Sequence, residues 1–178
     1  GASTTQVFTG QTMSRNGKST AAASRSIVVT NVSLAFISPP TGPSFSGTLN
    51  GSDKQLTASV PMDIQSGPSA GWNITLTSTT WTTGGGSPHT LSNSATQVLT
   101  TPTDTCDTAC VQASNSITYP YAVPAGTTAP TPTKLFNAAI NTGTGNQTVT
   151  PTFRLTVPAN SYAGTYTSTW TLTLSSGP

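Results

Sequence analysis

From residue 162 to residue 174 the chain alternates without a slip. Tyr162, Gly164, Tyr166, Ser168, Trp170, Leu172 and Leu174 take the even positions, and Thr165, Thr167, Thr169, Thr171 and Thr173 the odd ones. A strand sends successive side chains to opposite faces, so this run reads as a strand with one face on a core and the other in water. Shorter runs rich in β-branched and aromatic residues recur at 26–37, 55–62, 72–81, 96–101, 116–123 and 148–157, separated by Gly, Pro and Asn. Almost nothing reads as helix. The alternation over 148–157 is less clean and predicts a bulge near Arg154. Together these runs predict an all-β fold, an antiparallel β-sandwich of Greek-key or jelly-roll type.

Composition narrows the function more than the fold. The 178 residues include 38 Thr and 23 Ser, against six Lys plus Arg, four Asp and no Glu. A net charge of +2, scattered along the chain, does not make a phosphate-tracking surface, so nucleic acid is excluded as a partner. The ordered alternation of apolar residues argues against disorder despite the Ser, Thr, Gly and Pro content. No apolar run approaches the roughly 18 residues of a spanning helix. The start at Gly1-Ala2-Ser3 lacks a charged-then-apolar signal, and the expectation is a mature exported product. Residues 1–25 hold Arg15, Lys18 and Arg25, no acid, and few apolar residues, among them Val7, Phe8 and Met13. They are expected to form an extended arm, with residues 26–178 as a single sandwich domain. Such an arm can complete a sheet edge in its own or a neighbouring subunit, with Val7, Phe8, Met13, Ile27 and Val29 as candidate anchors. An internal core strand is the alternative role for Ile27 and Val29.

Chemistry-bearing residues are sparse. Cys106 and Cys110 enclose three residues, a spacing that suits a small disulfide loop in an oxidising compartment. With His89 as the single histidine, the chain lacks the ligand set zinc wants. Asp53, Asp104 and Asp107 could contribute to a Ca²⁺ site with carbonyls, but no EF-hand spacing is present, and neither a metal nor a cofactor is assigned. Gly67-Pro68-Ser69-Ala70-Gly71 has the Gly-x-Ser-x-Gly form, yet a nucleophile elbow needs a helix after it and Trp72 onward alternates as a strand. Four Asp without Glu also fit glycoside hydrolysis poorly, so no catalytic residue is assigned. Asn31, Asn50, Asn73 and Asn146 each begin an Asn-x-Ser/Thr triplet, the formal acceptor for N-linked sugar.

The C-terminal stretch Tyr162-Ala163-Gly164-Thr165-Tyr166-Thr167-Ser168-Thr169-Trp170-Thr171-Leu172 resembles the terminal motif of WxL-domain proteins, secreted bacterial surface proteins with two Trp-x-Leu signatures. Trp72-Asn73-Ile74, preceded by Ser59-Val60-Pro61-Met62-Asp63, is similar to the upstream signature, with Ile74 in place of Leu. The resemblance implies a secreted β-sandwich on a cell surface, often held noncovalently by peptidoglycan. Trp and Leu two apart on a strand face the same side, so the Trp72/Ile74 and Trp170/Leu172 pairs serve either as core packing or as a glycan-stacking surface, with Tyr166 beside the second pair.

Two functions follow as expectations. One is a non-catalytic secreted structural protein that self-assembles into a filament or layer by adding strands between copies of itself. Near-absence of charge removes the usual defence of sheet edges. The other is a cell-wall module that binds peptidoglycan.

Overall fold

The computed structural model describes residues 3–9, 24–30, 32–67 and 69–178. Met13 and Asn31 therefore lie outside the described residues, as does Pro68 of the Gly-x-Ser-x-Gly stretch. The chain divides into two compact units, Gly1–Ser33 and Leu34–Pro178.

In the first unit β1 (Ser3–Thr9) pairs antiparallel with β2 (Ser24–Thr30), Ser3 opposite Thr30 and Thr9 opposite Ser24. Within the stretch 1–25 expected to form an arm, Ser3–Thr9 is one strand of this two-stranded sheet, and the first compact unit ends at Ser33. The β-branched run Ile27-Val28-Val29 pairs with Gln6-Thr5-Thr4 of β1.

The second unit is all-β. Its strands are β3 (Ala35–Phe36), β4 (Lys54–Ser59), β5 (Met62–Ser66), β6 (Trp72–Thr79), β7 (Thr96–Val98), β8 (Thr103–Val111), β9 (Tyr121–Ala122), β10 (Ala125–Gly126), β11 (Thr133–Ala138), β12 (Thr144–Thr150), β13 (Thr152–Val157) and β14 (Trp170–Ser176). They pack as a β-sandwich, antiparallel except for the short pairing of β10 with β6.

One layer is a long ribbon. The register of 54–66 against 144–157 is unbroken: Gly145 faces Ser66, Val149 faces Met62, Thr152 faces Ser59 and Val157 faces Lys54. Pro61 and Pro151 sit nearly opposite each other where the ribbon passes from one sheet to the next. A proline has no amide to give to a ladder, so the pair interrupts the sheet without shifting it. The Val60 amide still donates to the Pro151 carbonyl at 3.1 Å. On one side of the junction the order is β3-β5-β12-β8, and on the other β4-β13-β7-β9. This interruption replaces the bulge predicted near Arg154: Val149, Phe153 and Leu155 are buried in phase, and β13 shows no register shift against β4 or β7.

The facing layer is built on β6. β14 lies along one side of it, Leu172 opposite Leu76 and Leu174 opposite Ile74. β11 and the short β10 share the other side. Between the layers Met62, Ile64, Val149 and Phe153 meet Trp72, Ile74, Leu76, Leu135 and Phe136, none more than 1% exposed. Removing such side chains from water stabilises the fold by about 1.5–3 kcal/mol each. Trp72 also uses its polar edge, its Nε1–H donating to the Gly143 carbonyl at 2.7 Å. Gly143 has φ of +66°, and a Cβ there would stand 2.6 Å from that same Nε1, so only glycine fits over the indole.

Two predicted strands shrink. The run 116–123 is strand only at β9, because the chain before it spends its polar groups on β11, as described below. The run 162–174 enters the sheet at Trp170; before that only Thr167 bridges to Thr82. There Tyr166 turns back to donate its hydroxyl to the Tyr162 carbonyl at 3.0 Å. β8 and β11 were not legible in advance. In β11, Leu135, Phe136, Asn137 and Ala138 are all buried and a register shift falls between Lys134 and Phe136, which erases period two.

Candidate assembly edge

A sheet edge is a row of main-chain donors and acceptors, and a folded protein normally blunts it with charge, kinks, brevity or a cover. The edges of the second unit differ in how they are treated. β3 and β9 are two residues long, and Pro39 and Pro40 follow β3 shortly after it ends. β4 begins with Lys54, and the segment around Gly47 lies on its Leu56, since a Cβ on Gly47 would meet the Leu56 side chain at 2.8 Å.

β8 is guarded by chemistry. Cys106 and Cys110 are joined, and Ala109 within the loop takes φ of +43°. The register against β12 shifts twice at this point, leaving Asp107, Ala109 and Cys110 of β8 unmatched, and the strand kinks. Asp104 and Asp107 add charge. Asp104 Oδ2 accepts the Ala113 amide at 2.7 Å. Its carboxyl is held above the usual range by burial and by neighbouring Asp107, with the Ala113 bond opposing. The Thr148 hydroxyl lies within hydrogen-bonding reach of Asp63 and Asp107, at 2.9 Å from Asp63 Oδ1 and 3.1 Å from Asp107 Oδ2. Asp53 instead accepts the Ala159 amide at 2.8 Å. No group of three metal-ligating side chains occurs among the described residues.

β11 is covered by the segment 113–119. Asn115 Oδ1 accepts the Asn137 amide at 3.1 Å, Asn137 Oδ1 accepts the Ser116 amide at 2.9 Å, and the Ala139 amide donates to the Ser114 carbonyl at 3.0 Å. The Tyr119 hydroxyl donates to the Leu135 carbonyl. Side-chain amides thus stand in for a missing strand. Sequence patterning gives no sign of this, because polar residues in an irregular stretch look like any loop.

β14 has none of these devices. Its seven residues, Trp-Thr-Leu-Thr-Leu-Ser-Ser, carry no charge, proline or register shift. The Thr79 amide donates to the Thr169 carbonyl, so by antiparallel alternation the main-chain groups of Thr171, Thr173 and Ser175 face β6, and those of Trp170, Leu172 and Leu174 face outward. Among the described residues no hydrogen bond reaches those outward groups. The side chains tell the same story. Ile74 and Leu76 of β6 are 0% exposed, while their cross-strand partners Leu174 and Leu172 are only half-buried. The core layer runs out one strand early.

The two Trp-x-Leu-like pairs lie on adjacent strands. Trp72 and Ile74 are wholly buried, whereas Trp170 and Leu172 are half-buried at the edge. Trp170 packs edge-on against Phe153 with ring centroids 5.0 Å apart, and its Nε1–H is buried without an acceptor among the described residues. With Trp81, Tyr166 and the loop residues Pro40 and Pro43, Trp170 and Leu172 line a cleft of about 390 Å³. A second cleft, of about 660 Å³, runs past Phe45, Leu56, Leu155 and Tyr162. Tyr162 is 63% exposed. His89 stacks on Tyr162 at 3.6 Å with the rings 10° from parallel.

The remaining predicted residues are dispersed. Val7 and Phe8 fall in β1, and Ile27 and Val29 in β2. Asn50 and Asn146 are exposed; Asn73 is 9% exposed and its Nδ2 donates to the Gly177 carbonyl at 2.7 Å, which leaves no room for a sugar on the folded chain. Ser69 sits in a turn between β5 and β6, with a strand on each side and no helix. No helix among the described residues is long and apolar enough to cross a membrane. No protein-family model, curated protein or solved structure matches the chain.

Proposed function

We propose that this chain is a non-catalytic structural subunit that polymerises into a filament or layer by adding a β-strand of one copy to a sheet edge of another. The observation that carries it is the outer edge of β14: long, uncharged, unkinked and without main-chain partners among the described residues, in a unit whose other described edges are short, charged or covered. Main-chain hydrogen bonds give such an addition its affinity, and a head-to-tail contact that does not close on itself gives an open polymer. The Cys106–Cys110 disulfide suits an oxidising compartment, and the likeness of 162–172 to the WxL terminal motif supports a secreted, cell-surface location.

The test places charge on the edge without touching the core. Thr171 and Thr173 are exposed, so Thr171→Lys with Thr173→Lys leaves the inner face intact. Negative-stain microscopy and size-exclusion chromatography of the unaltered protein should show polymers, and the double variant should be monomeric with its thermal unfolding nearly unchanged. Monomers from the unaltered protein at high concentration, or equal polymerisation of both, would sink the reading.

A second reading, noncovalent peptidoglycan binding, has one observation in its favour: exposed Tyr162, braced from behind by His89 and bordering the larger cleft, offers an aromatic platform to a sugar ring. Sedimentation with purified peptidoglycan would show it. On this reading Tyr162→Ala should abolish pelleting while leaving the fold intact.

A further inference from the structure

We infer that the strand added to β14 is β2 of a second copy, entering together with β1 as a preformed hairpin. This rests on the assembly reading above and names its donor and acceptor. Among the described residues the first unit is a two-stranded sheet alone, and an isolated pair of strands is marginal in water. Pairing with β1 occupies one edge of β2, and among the described residues no strand pairs with its other edge, so the hairpin can join a sheet without first coming apart.

The match between donor and acceptor is specific in three ways. β2 and β14 are each seven residues long. Ile27 and Val29 are spaced two apart, as are Leu172 and Leu174, so at those two positions an added β2 continues the apolar row that stops half-buried at β14, with Arg25 next on the same face. The acceptor also ends in a cleft of about 390 Å³ beside Trp170 and Leu172, with room for an apolar side chain of the incoming row. β1 is the weaker donor: its apolar residues Val7 and Phe8 are adjacent and therefore fall on opposite faces. The product would be a continuous order β1-β2-β14-β6-β11 running across two copies.

Cysteine trapping in the full chain tests this. Thr173→Cys is combined in turn with Ser26→Cys, Val28→Cys or Thr30→Cys, on the face of β2 opposite Ile27 and Val29, and each protein is allowed to assemble before mild oxidation. The native Cys106–Cys110 pair stays oxidised throughout. Expected is a dimer, trimer and longer ladder on nonreducing gels from at least one double variant, and a heterodimer on mixing the two corresponding single variants, while each single variant alone stops at dimer. Polymers that form normally but give no ladder from any of the three would overturn the assignment of β2 and β14 and leave strand addition standing. A bond formed only within one chain would overturn both, because the hairpin would then complete its own subunit. Absence of both polymers and bonds would overturn the assembly reading itself.

Discussion

β11 and β14 flank the same strand, yet they end up in opposite physical states. Leu135 and Phe136 of β11 are 0% and 1% exposed, and the outer main chain of β11 is satisfied by Asn115, Ser114 and Tyr119. Leu172 and Leu174 of β14 are half-buried, and the outer main chain has no partner among the described residues. Both strands bond β6 over much of its length, so the ladder itself does not make the difference. What separates them is the next layer outward: a covering segment in one case and an open row in the other. An edge is therefore a property of the neighbourhood of a strand and not of its residues.

The largest test of this contrast is a pair of truncations. Leu135→Ala should cost about 2–5 kcal/mol, the usual range for a buried leucine, and Leu172→Ala on the monomer roughly half as much, because less of its surface leaves water. Denaturant titration of each variant measures both. In assembled protein the cost at Leu172 should rise toward that at Leu135, as the added strand completes its burial. Equal losses in the monomer would erase the distinction between the two strands.

Uncovering β11 is the next largest effect. Asn115→Ala leaves the amide of buried Asn137 without its acceptor and removes a donor to Tyr119, at a cost of about 1–3 kcal/mol. Hydrogen exchange should show the Asn137 amide losing protection while those of β6 keep theirs. Should polymers of the Asn115→Ala variant also branch or clump, β11 has become a second sticky edge.

The guarded edge at β8 predicts a smaller change. Cys106→Ser with Cys110→Ser opens a five-residue loop and should cost about 2 kcal/mol or less by loop-closure entropy. Because Asp104 and Asp107 remain, this variant should gain no new polymer form by microscopy.

The smallest effect is on pH. Burial pushes the Tyr119 hydroxyl up to about 12 and the Tyr121 hydroxyl higher still. The folded chain therefore keeps phenolic protons that the unfolded chain gives up near pH 10. Stability from this source is full below pH 10 and falls as pH rises toward 12. Tyr119→Phe with Tyr121→Phe should flatten that decline in melting temperature, most of it through Tyr121, whose hydroxyl burial pushes up further.

Much of this was legible in the residues. Alternation at 162–174 put Trp170, Leu172 and Leu174 on one face and Thr171 and Thr173 on the other, and the strand that forms at 170–176 keeps that division. The spacing of Cys106 and Cys110 allowed the bond they make. Both are local facts: side-chain direction has period two along any strand, and a short loop closes whatever surrounds it. The split of one long strand pair at Pro61 and Pro151 was missed, although each proline stood in plain view, because nothing local says that the two lie opposite each other.

The sequence by itself determined that this chain is β-structured, which face of the strand at 170–176 is apolar, and that its strands carry almost no charge to guard an edge. Only the tertiary structure decided that β14 is the bare edge and β11 the covered one. Strand neighbours are chosen by contacts between residues far apart in the chain, Leu172 with Leu76 and Asn115 with Asn137, and a pattern of period two looks identical whether its strand ends up in the middle of a sheet or at its rim.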